Sequence, residues 1–260
     1  MRFGACVGTD VSKIDILKKY GYDYVEMSLA GISGWSEEKI AEVRAKMDET
    51  GIYLEATNGF FGFPESYLVS DQLDLERVEE YTRRALSKAT KLGLKVAVLG
   101  CGDARRIPED VPYELAVERF VSVLKLVGQI ADEFDVDVVI EPLQAKEANY
   151  INTVADGLEA CALADHPRIN VLADFFHVAM SGESLDAIRT CGAKLKHCHI
   201  ARDNPDRTMP INPEDLPACR EWAAALKENG YDARISMEGK LGDDFDLTAR
   251  EMVKTFEIFK

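Results

Sequence analysis

The sequence predicts an α/β protein that folds as a single (β/α)8 TIM barrel over residues 1–260. Eight short β-type runs alternate with longer helical patterns, and no change in composition divides the chain. The length of 260 residues is also typical of one such barrel. A doubly wound open sheet is the alternative architecture, but no glycine-rich phosphate-binding turn follows the first run.

The eight strands are predicted from runs rich in β-branched, aromatic and other apolar residues. In chain order they are RFGACVG (2–8), YVEMSL (24–29), IYLEAT (52–57), LKVAVLG (94–100), VDVVIE (136–141), INVLAD (169–174), LKHCHI (195–200) and ARISMEG (233–239). Continuous apolar runs such as VAVL indicate parallel strands that are covered on both faces.

A helical pattern follows each predicted strand, with the clearest examples over residues 36–51, 75–93 and 113–134. In the third of these, apolar residues recur at spacings of three and four, which is the period of a helix with one buried face. These residues are Ala116, Phe120, Val123 and Leu124. Glycines mark helix ends, where a left-handed cap favours glycine. They are Gly21, Gly51, Gly93, Gly192 and Gly230.

The charge of the chain restricts its partners. There are 31 basic and 46 acidic residues, for a net charge of −15, which disfavours binding to nucleic acid or to an anionic membrane surface. No segment approaches the roughly 18 apolar residues of a membrane span, and the first residues do not resemble a signal peptide. The six cysteines are scattered without a CxxC pair, so we expect reduced thiols in a cytoplasmic protein.

Polar side chains end four successive apolar strands. Strand five ends in Glu141, strand six in Asp174 and strand eight in Glu238, while strand seven carries His199. Active sites of these barrels lie at the carboxyl ends of the strands. Side chains alternate between the two faces of a strand, and this alternation turns all four residues into the barrel mouth. They share their inward faces with Val139, Leu172, Ser236 and His197.

Three carboxylates at one point repel one another, and a divalent cation converts that repulsion into ligation. Oxygen-rich ligation with one imidazole suits Mn²⁺, Mg²⁺ or Co²⁺, and Zn²⁺ is compatible with it. We therefore predict one divalent metal, with Mn²⁺ preferred, held by Glu141, Asp174, His199 and Glu238. Any one of these residues alone is more simply explained as a paired or capping side chain.

The segments EPLQAKE, DFFH, HCHI followed by Arg207, and SMEG resemble the xylose-isomerase-like barrel superfamily. The similarity is greatest to its ketose 3-epimerases (the tagatose/psicose 3-epimerase group) and to hydroxypyruvate isomerase. The resemblance implies that Glu141 and Glu238 are the catalytic acid/base pair as well as metal ligands. It implies substrate contacts for Glu147, His177 and Arg207. Because the spacing from His199 to the arginine is longer here than in the epimerases, Arg202 is an alternative to Arg207.

Other polar residues near the predicted rim carry two interpretations each. Glu26, taken as the end of strand two, either bonds a sugar hydroxyl or forms a helix-facing or loop salt bridge. His177 either reaches the substrate or caps a helix, and His197 is interpreted as a core or supporting histidine. Glu147 follows Glu141 in a loop, which favours a substrate contact over metal ligation.

The long segment 58–71 is rich in aromatic residues that either wall off the reaction from water or pack on the rim. They are Phe60, Phe61 and Phe63, with Trp35 as a further candidate. Arg105 and Arg106 either meet a phosphate or are solvated. Because no phosphate cradle accompanies them, we expect a free sugar or sugar acid as the small-molecule partner.

The layout predicts proton transfer at a carbon next to a carbonyl, through a metal-stabilised enediolate, with two glutamates exchanging the proton. The outcome is epimerisation, aldose–ketose isomerisation or, as in the inosose dehydratases of the superfamily, loss of a hydroxyl.

A non-catalytic sugar-binding barrel and a DNA-repair endonuclease are the rival classes. The absence of histidines before His166 and the negative charge oppose the endonuclease. By analogy with related barrels, we expect a homodimer or homotetramer.

Overall fold

The computed structural model describes residues 1–260 and contains eight parallel strands in one sheet, in the order β1-β8-β7-β6-β5-β4-β3-β2. The strands are β1 (Arg2–Ala5), β2 (Tyr24–Ser28), β3 (Tyr53–Asn58), β4 (Val96–Leu99), β5 (Asp137–Ile140), β6 (Ile169–Asp174), β7 (Leu195–Ile200) and β8 (Arg234–Met237). The predicted (β/α)8 barrel is therefore confirmed, with each strand near its predicted position.

The barrel closes between β1 and β2 through a short contact instead of a full ladder. Cys6 and Glu26 form an isolated parallel bridge, and the backbone N–H of Val7 donates to the carbonyl of Glu26 at 2.9 Å. Further backbone hydrogen bonds join Asp23 to Phe3 and Ser28 to Gly8, both at 2.9 Å. Glu26 therefore takes part in closure through its backbone, while its side chain enters the barrel interior.

Ten α-helices surround the strands. They are α1 (Lys13–Tyr20), α2 (Leu29–Ser33), α3 (Glu37–Thr50), α4 (Leu75–Thr90), α5 (Tyr113–Glu133), α6 (Val154–Ala164), α7 (Phe175–Met180), α8 (Asp186–Thr190), α9 (Leu216–Asn229) and α10 (Phe245–Phe256). Short 3-10 turns cover Gly192–Lys194, Pro213–Asp215 and Glu257–Phe259. None of these helices combines the length and the apolar character needed to cross a membrane.

Local chemistry explains where the helices begin and end. The side chains of Ser36 and Asp74 accept hydrogen bonds from the first turns of α3 and α4, as expected of N-cap residues. A reciprocal capping box between Thr153 and Asp156 starts α6. The predicted glycines Gly21, Gly51 and Gly230 end α1, α3 and α9 in the left-handed conformation. The other two, Gly93 and Gly192, also have positive φ, but they lie beyond the capping residues of α4 and α8.

The core has two layers, as the strand alternation predicts. A small inner apolar cluster lies inside the barrel and consists of Val96, Val98, Val139 and Leu172. The outer layer, between strands and helices, includes Val138, Ile140, Cys198, Ile235 and Met237. Residues of opposite parity on β5, β6, β7 and β8 therefore face inward, and the residues that follow the inner layer reach the carboxyl-terminal mouth.

Leu172 supports this inner layer directly below the mouth and is fully buried. We expect Leu172→Ala to lower the free energy of unfolding by about 3 kcal/mol, because the barrel interior cannot collapse onto the cavity. Urea unfolding followed by circular dichroism measures this loss. Leu163→Ala is the control, since Leu163 is 44% exposed, and a similar loss in both variants would contradict the assigned packing.

Candidate active site

The mouth of the barrel brings together the four residues that end the apolar strands. One ligand atom from each of Glu141, Asp174, His199 and Glu238 lies within 4.8 Å of the others. Nδ1 of His199 lies 2.9 Å from Oε2 of Glu238 and 3.3 Å from Oε1 of Glu141. Asp174 and His199 are register partners on β6 and β7. Three carboxylates and one imidazole nitrogen form a donor set that fits a divalent cation.

Glu141 and Glu238 follow their strands immediately instead of ending them, since β5 and β8 finish at Ile140 and Met237. The backbone N–H of Glu141 still donates to the carbonyl of Leu99 at 3.2 Å. The ladder therefore continues for one more hydrogen bond, which keeps the carboxylate in the inward register.

The two glutamates have different electrostatic surroundings. Burial and the neighbouring charge of Glu238 raise the pKa of Glu141 above its ordinary value. Burial alone raises the pKa of Glu238 as well, but His199 and Arg207 outweigh it and lower the pKa well below its ordinary value. The surroundings therefore shift the pKa values of the two carboxyl groups in opposite directions.

Arg207 reaches the four residues Glu141, Asp174, His199 and Glu238, hereafter the tetrad, whereas Arg202 does not. Nη2 of Arg207 contacts Oδ2 of Asp174 and lies 2.6 Å from Oε2 of Glu238. Arg202 instead pairs with Asp215 at 2.9 Å, outside the tetrad. Of the two predicted alternatives, Arg207 is the arginine at the mouth.

His177 points a free N–H group toward the same space. Its Nδ1 accepts a hydrogen bond from the backbone N–H of Gln144 at 3.2 Å, so the ring proton resides on Nε2 when the ring is neutral. That Nε2 is buried without a hydrogen-bond partner and lies 3.8 Å from Asp174 and 3.9 Å from Glu147. An unpartnered buried donor beside a cluster of acceptors is available to a substrate oxygen.

The structure corrects the expectation for Glu26. Two further residues of β2 follow it, so it lies one layer below the mouth, where it is fully buried. Its carboxylate oxygens accept hydrogen bonds from Nε2 of His197 at 2.8 Å and Nε2 of His199 at 3.0 Å. Both oxygens are therefore engaged by histidines inside the barrel, instead of by a sugar hydroxyl or by a partner in a helix or loop.

Charges in this lower layer affect one another. Burial alone raises the pKa of Glu26, but His199 and His197 outweigh it and lower the pKa below its ordinary value. Burial lowers the pKa of His197. Burial also opposes protonation of His199, but Glu238 and Glu26 raise its pKa well above the ordinary value.

Arg105 also differs from its sequence-based interpretation as a phosphate contact or solvated residue. It is fully buried, and its guanidinium donates only to backbone carbonyls, including Gly100 at 2.5 Å and Glu141 at 2.8 Å. Further bonds reach Leu99, Tyr150 and Ile151. Arg105 therefore fastens the ends of β4 and β5 to the loop after β5.

Asn58 is a site residue that the sequence interpretation missed. It is the last residue of β3, and its amide Nδ2 donates to Oε1 of Glu238 at 2.6 Å. The same rule that selected the other strand ends, a polar residue at the end of a strand, would have found it. The aromatic residues of segment 58–71 pack on the rim, with Phe60 and Phe61 buried in a cluster that includes Tyr81.

The chain is similar in sequence to a known protein family and to several of its members. The family model described as "Xylose isomerase-like TIM barrel" matches residues 14–256. The chain belongs to this family. A curated D-psicose 3-epimerase from Ruminiclostridium cellulolyticum is 27% identical over 233 residues, which cover 86% of this chain and 76% of that protein. A 3-dehydro-D-guloside 4-epimerase from Escherichia coli is 25% identical over 236 residues, covering 89% and 87%.

Within the xylose isomerase-like TIM barrel family, a solved D-psicose 3-epimerase in the presence of D-fructose has the same fold. It superposes with a TM-score of 0.82 and 21% identity, covering 100% of this chain and 99% of that one. The related proteins are named as epimerases, and the chain is accordingly an enzyme of the isomerase class.

Gly100 provides the room that the Glu141 carboxylate occupies, because a Cβ at this position would overlap Oε2 of Glu141. We expect Gly100→Ala to displace that carboxylate and to lower kcat/KM by about a hundredfold, a loss typical of misplacement by about 1 Å. Steady-state kinetics and urea unfolding measure activity and stability separately.

Gly34→Ala is the matched control for this substitution. Its Cβ would meet no atom closer than 3.5 Å, and its backbone has an ordinary φ of −86°. Full activity in Gly100→Ala would show that the glutamate does not need this position.

Proposed function

We propose that the protein is a divalent-metal-dependent epimerase of a free ketose or small keto-sugar, acting at a carbon next to the carbonyl. The observation that carries this proposal is the meeting of Glu141 and Glu238 at one point, from strands separated by β6 and β7. Membership of a family whose curated relatives are sugar epimerases supports the reaction class.

Glu141, Asp174, His199 and Glu238 would hold the cation. A bound divalent ion supplies Lewis-acid stabilisation of the negative charge that develops on the substrate oxygens. Mn²⁺ is the preferred ion for this donor set, with Mg²⁺, Co²⁺ and Zn²⁺ as compatible alternatives.

The two glutamates perform the proton transfers. One carboxylate takes the proton from the carbon beside the carbonyl, and the electron pair of the broken C–H bond forms the double bond of an enediolate. The other carboxyl group returns a proton to the opposite face of the same carbon, which inverts the centre. Return of the proton to the neighbouring carbon would instead give aldose–ketose isomerisation.

Three further residues bind and orient the sugar in this proposal. Nε2–H of His177 donates to a substrate oxygen, and Arg207 supplies a cation beside the developing charge. Glu147, whose Oε1 accepts from Gln144 at 2.7 Å, keeps its other oxygen for a sugar hydroxyl. Arg105 is enclosed by carbonyls, and Arg106 donates to the carbonyl of Glu147 at 2.7 Å and lies 3.5 Å from Glu65. Both arginines are thus engaged within the protein, which favours an unphosphorylated substrate.

A solvent-exchange experiment tests the reaction. Incubation with Mn²⁺ and a panel of ketoses, hydroxypyruvate and inosose in deuterated water, followed by NMR, is expected to give an epimer deuterated at the inverted carbon. Glu141→Gln and Glu238→Gln should each lower kcat by about 10²–10⁴-fold, the range for loss of a general acid or base.

Glu147→Gln is the matched control, because it changes a carboxylate outside the tetrad. It should raise KM while retaining deuterium incorporation. Metal content is measured for every variant, so that loss of the ion is distinguished from loss of the base. Exchange at the wild-type rate in either tetrad variant would contradict the two-base mechanism, and a dehydrated product would assign the dehydratase reaction instead.

A cation bound to the tetrad should stabilise the folded protein against unfolding. A ligand present at 100 times its Kd that binds only the folded state raises the free energy of unfolding by about 2.7 kcal/mol. We expect this gain with Mn²⁺ in the wild type and its loss in Asp174→Asn, measured by urea unfolding with the metal and with a chelator.

Asp137→Asn is the control, since Asp137 begins β5 at the opposite end of the barrel and should leave the gain unchanged. Equal wild-type stability with chelator and with Mn²⁺, Co²⁺ or Mg²⁺ would refute the metal site.

A further inference from the structure

Below the tetrad lies a second layer of ionisable side chains, formed by Glu26, His197 and His199, all of which are fully buried. The carboxylate of Glu26 bridges the two rings, with its oxygens 2.8 Å from Nε2 of His197 and 3.0 Å from Nε2 of His199. The ring centroids lie 5.0 Å apart at an interplanar angle of 81°. Only His199 belongs to both layers.

Hydrogen-bonding capacity assigns a direction to each of these contacts. An ionised carboxylate only accepts, so each Nε2 donates its proton to Glu26. His199 therefore turns its Nε2–H downward to Glu26 and its Nδ1 upward to Glu141 and Glu238. A ring flip would place carbon atoms opposite both groups of carboxylates, and the buried oxygens of Glu26 would then lose a donor.

His197 has a separate role in this layer. Its Nε2 contacts Glu26, while its Nδ1 is buried without a partner. The ring thus makes one polar contact, and that contact occupies the second oxygen of Glu26. With one oxygen held by His197, the other remains directed at His199.

The backbone of Glu26 is held as well as its side chain. It lies at the closure of the barrel, where it bridges Cys6 and its carbonyl accepts from Val7 at 2.9 Å. A carboxylate on a fixed strand position is a more accurate support than one on a loop.

We propose that Glu26, supported by His197, is a positioning residue that aims Nδ1 of His199 at the divalent cation and fixes the ring against rotation. This inference rests on the proposed metal-dependent function and extends it to residues that touch neither metal nor substrate. Partners that orient a ligating histidine affect metal affinity although they do not bind the ion.

Glu26→Gln is the direct test. The glutamine amide keeps the shape but removes the negative charge and one of the two acceptor oxygens, so the charge-assisted hydrogen bond that holds Nε2–H of His199 is weakened. We expect the Kd for Mn²⁺, measured by isothermal titration calorimetry, to rise by about 10–100-fold. At saturating Mn²⁺ much of kcat should return with KM for the sugar unchanged, whereas Glu141→Gln should not recover at any concentration of metal.

Two matched comparisons separate positioning from a general structural role. Glu55→Gln removes a partly buried carboxylate that pairs with Arg2 and Arg234 at the other end of the barrel, and it should leave the Kd for Mn²⁺ unchanged. His197→Phe fills the same space without a donor and should weaken Mn²⁺ binding, while His197→Gln, which keeps a donor near Nε2, should restore most of the affinity. These histidine variants provide the test should Glu26→Gln fail to fold.

The outcomes distinguish this inference from the proposed function. Wild-type affinity for Mn²⁺ in Glu26→Gln, or equal affinity in His197→Phe and His197→Gln, would overturn the positioning role and leave the metal-dependent function standing. A wild-type protein that binds no divalent ion would overturn both.

Discussion

His199 contacts three carboxylates at once: Glu26 through Nε2, and Glu141 and Glu238 through Nδ1. Each of these carboxylates is at least largely buried, and a buried carboxylate is costly without a partner. One imidazole ring therefore lies between two groups of acidic side chains, Glu26 below it and Glu141 and Glu238 above it. The conformation of the whole mouth depends on this ring, because its rotation would remove the partner from all three acids.

Other polar side chains contact the same group of carboxylates and stabilise their negative charge. Arg207 pairs with Asp174 and Glu238, and Asn58 donates to the second oxygen of Glu238. Arg105 acts on the backbone instead, since it donates to the carbonyls of Leu99, Gly100 and Glu141. Every one of these donors comes from the carboxyl end of a strand or the loop after it. Stability is supplied by the apolar layers below, which leaves the mouth free to concentrate charge.

Sequence reasoning predicted the fold and the tetrad because both follow from short-range rules. A period of two along each strand sets which side chain points inward, and the ends of parallel strands meet at one rim. Glu141, Asp174 and Glu238 were recognisable as single charges that end apolar runs. Glu26 was misassigned because it was treated as the end of strand two, although Met27 and Ser28 continue that strand and place Glu26 one layer deeper.

Such rules predict neither the burial of Arg105 nor which of Arg202 and Arg207 reaches the mouth. An arginine in a loop carries no periodic signal, and its burial depends on which carbonyls of distant segments surround it. The carbonyls that Arg105 contacts belong to residues 99, 100, 141, 150 and 151, which only the folded chain brings together. The pairing of Arg202 with Asp215 likewise depends on a turn that the sequence pattern does not define.

Arg207 also illustrates how backbone strain serves the site. Its φ of 47° lies in the left-handed region, which is unfavourable for a residue with a long side chain and persists only where the surroundings impose it. Here the loop after β8 imposes it: the N–H of Lys240 donates to the carbonyl of Arg207 at 2.9 Å. Gly239 makes this possible, because a Cβ there would overlap that carbonyl. Since Gly239 directly follows Glu238, the same turn that carries the carboxylate also fixes the backbone of the arginine whose guanidinium contacts it.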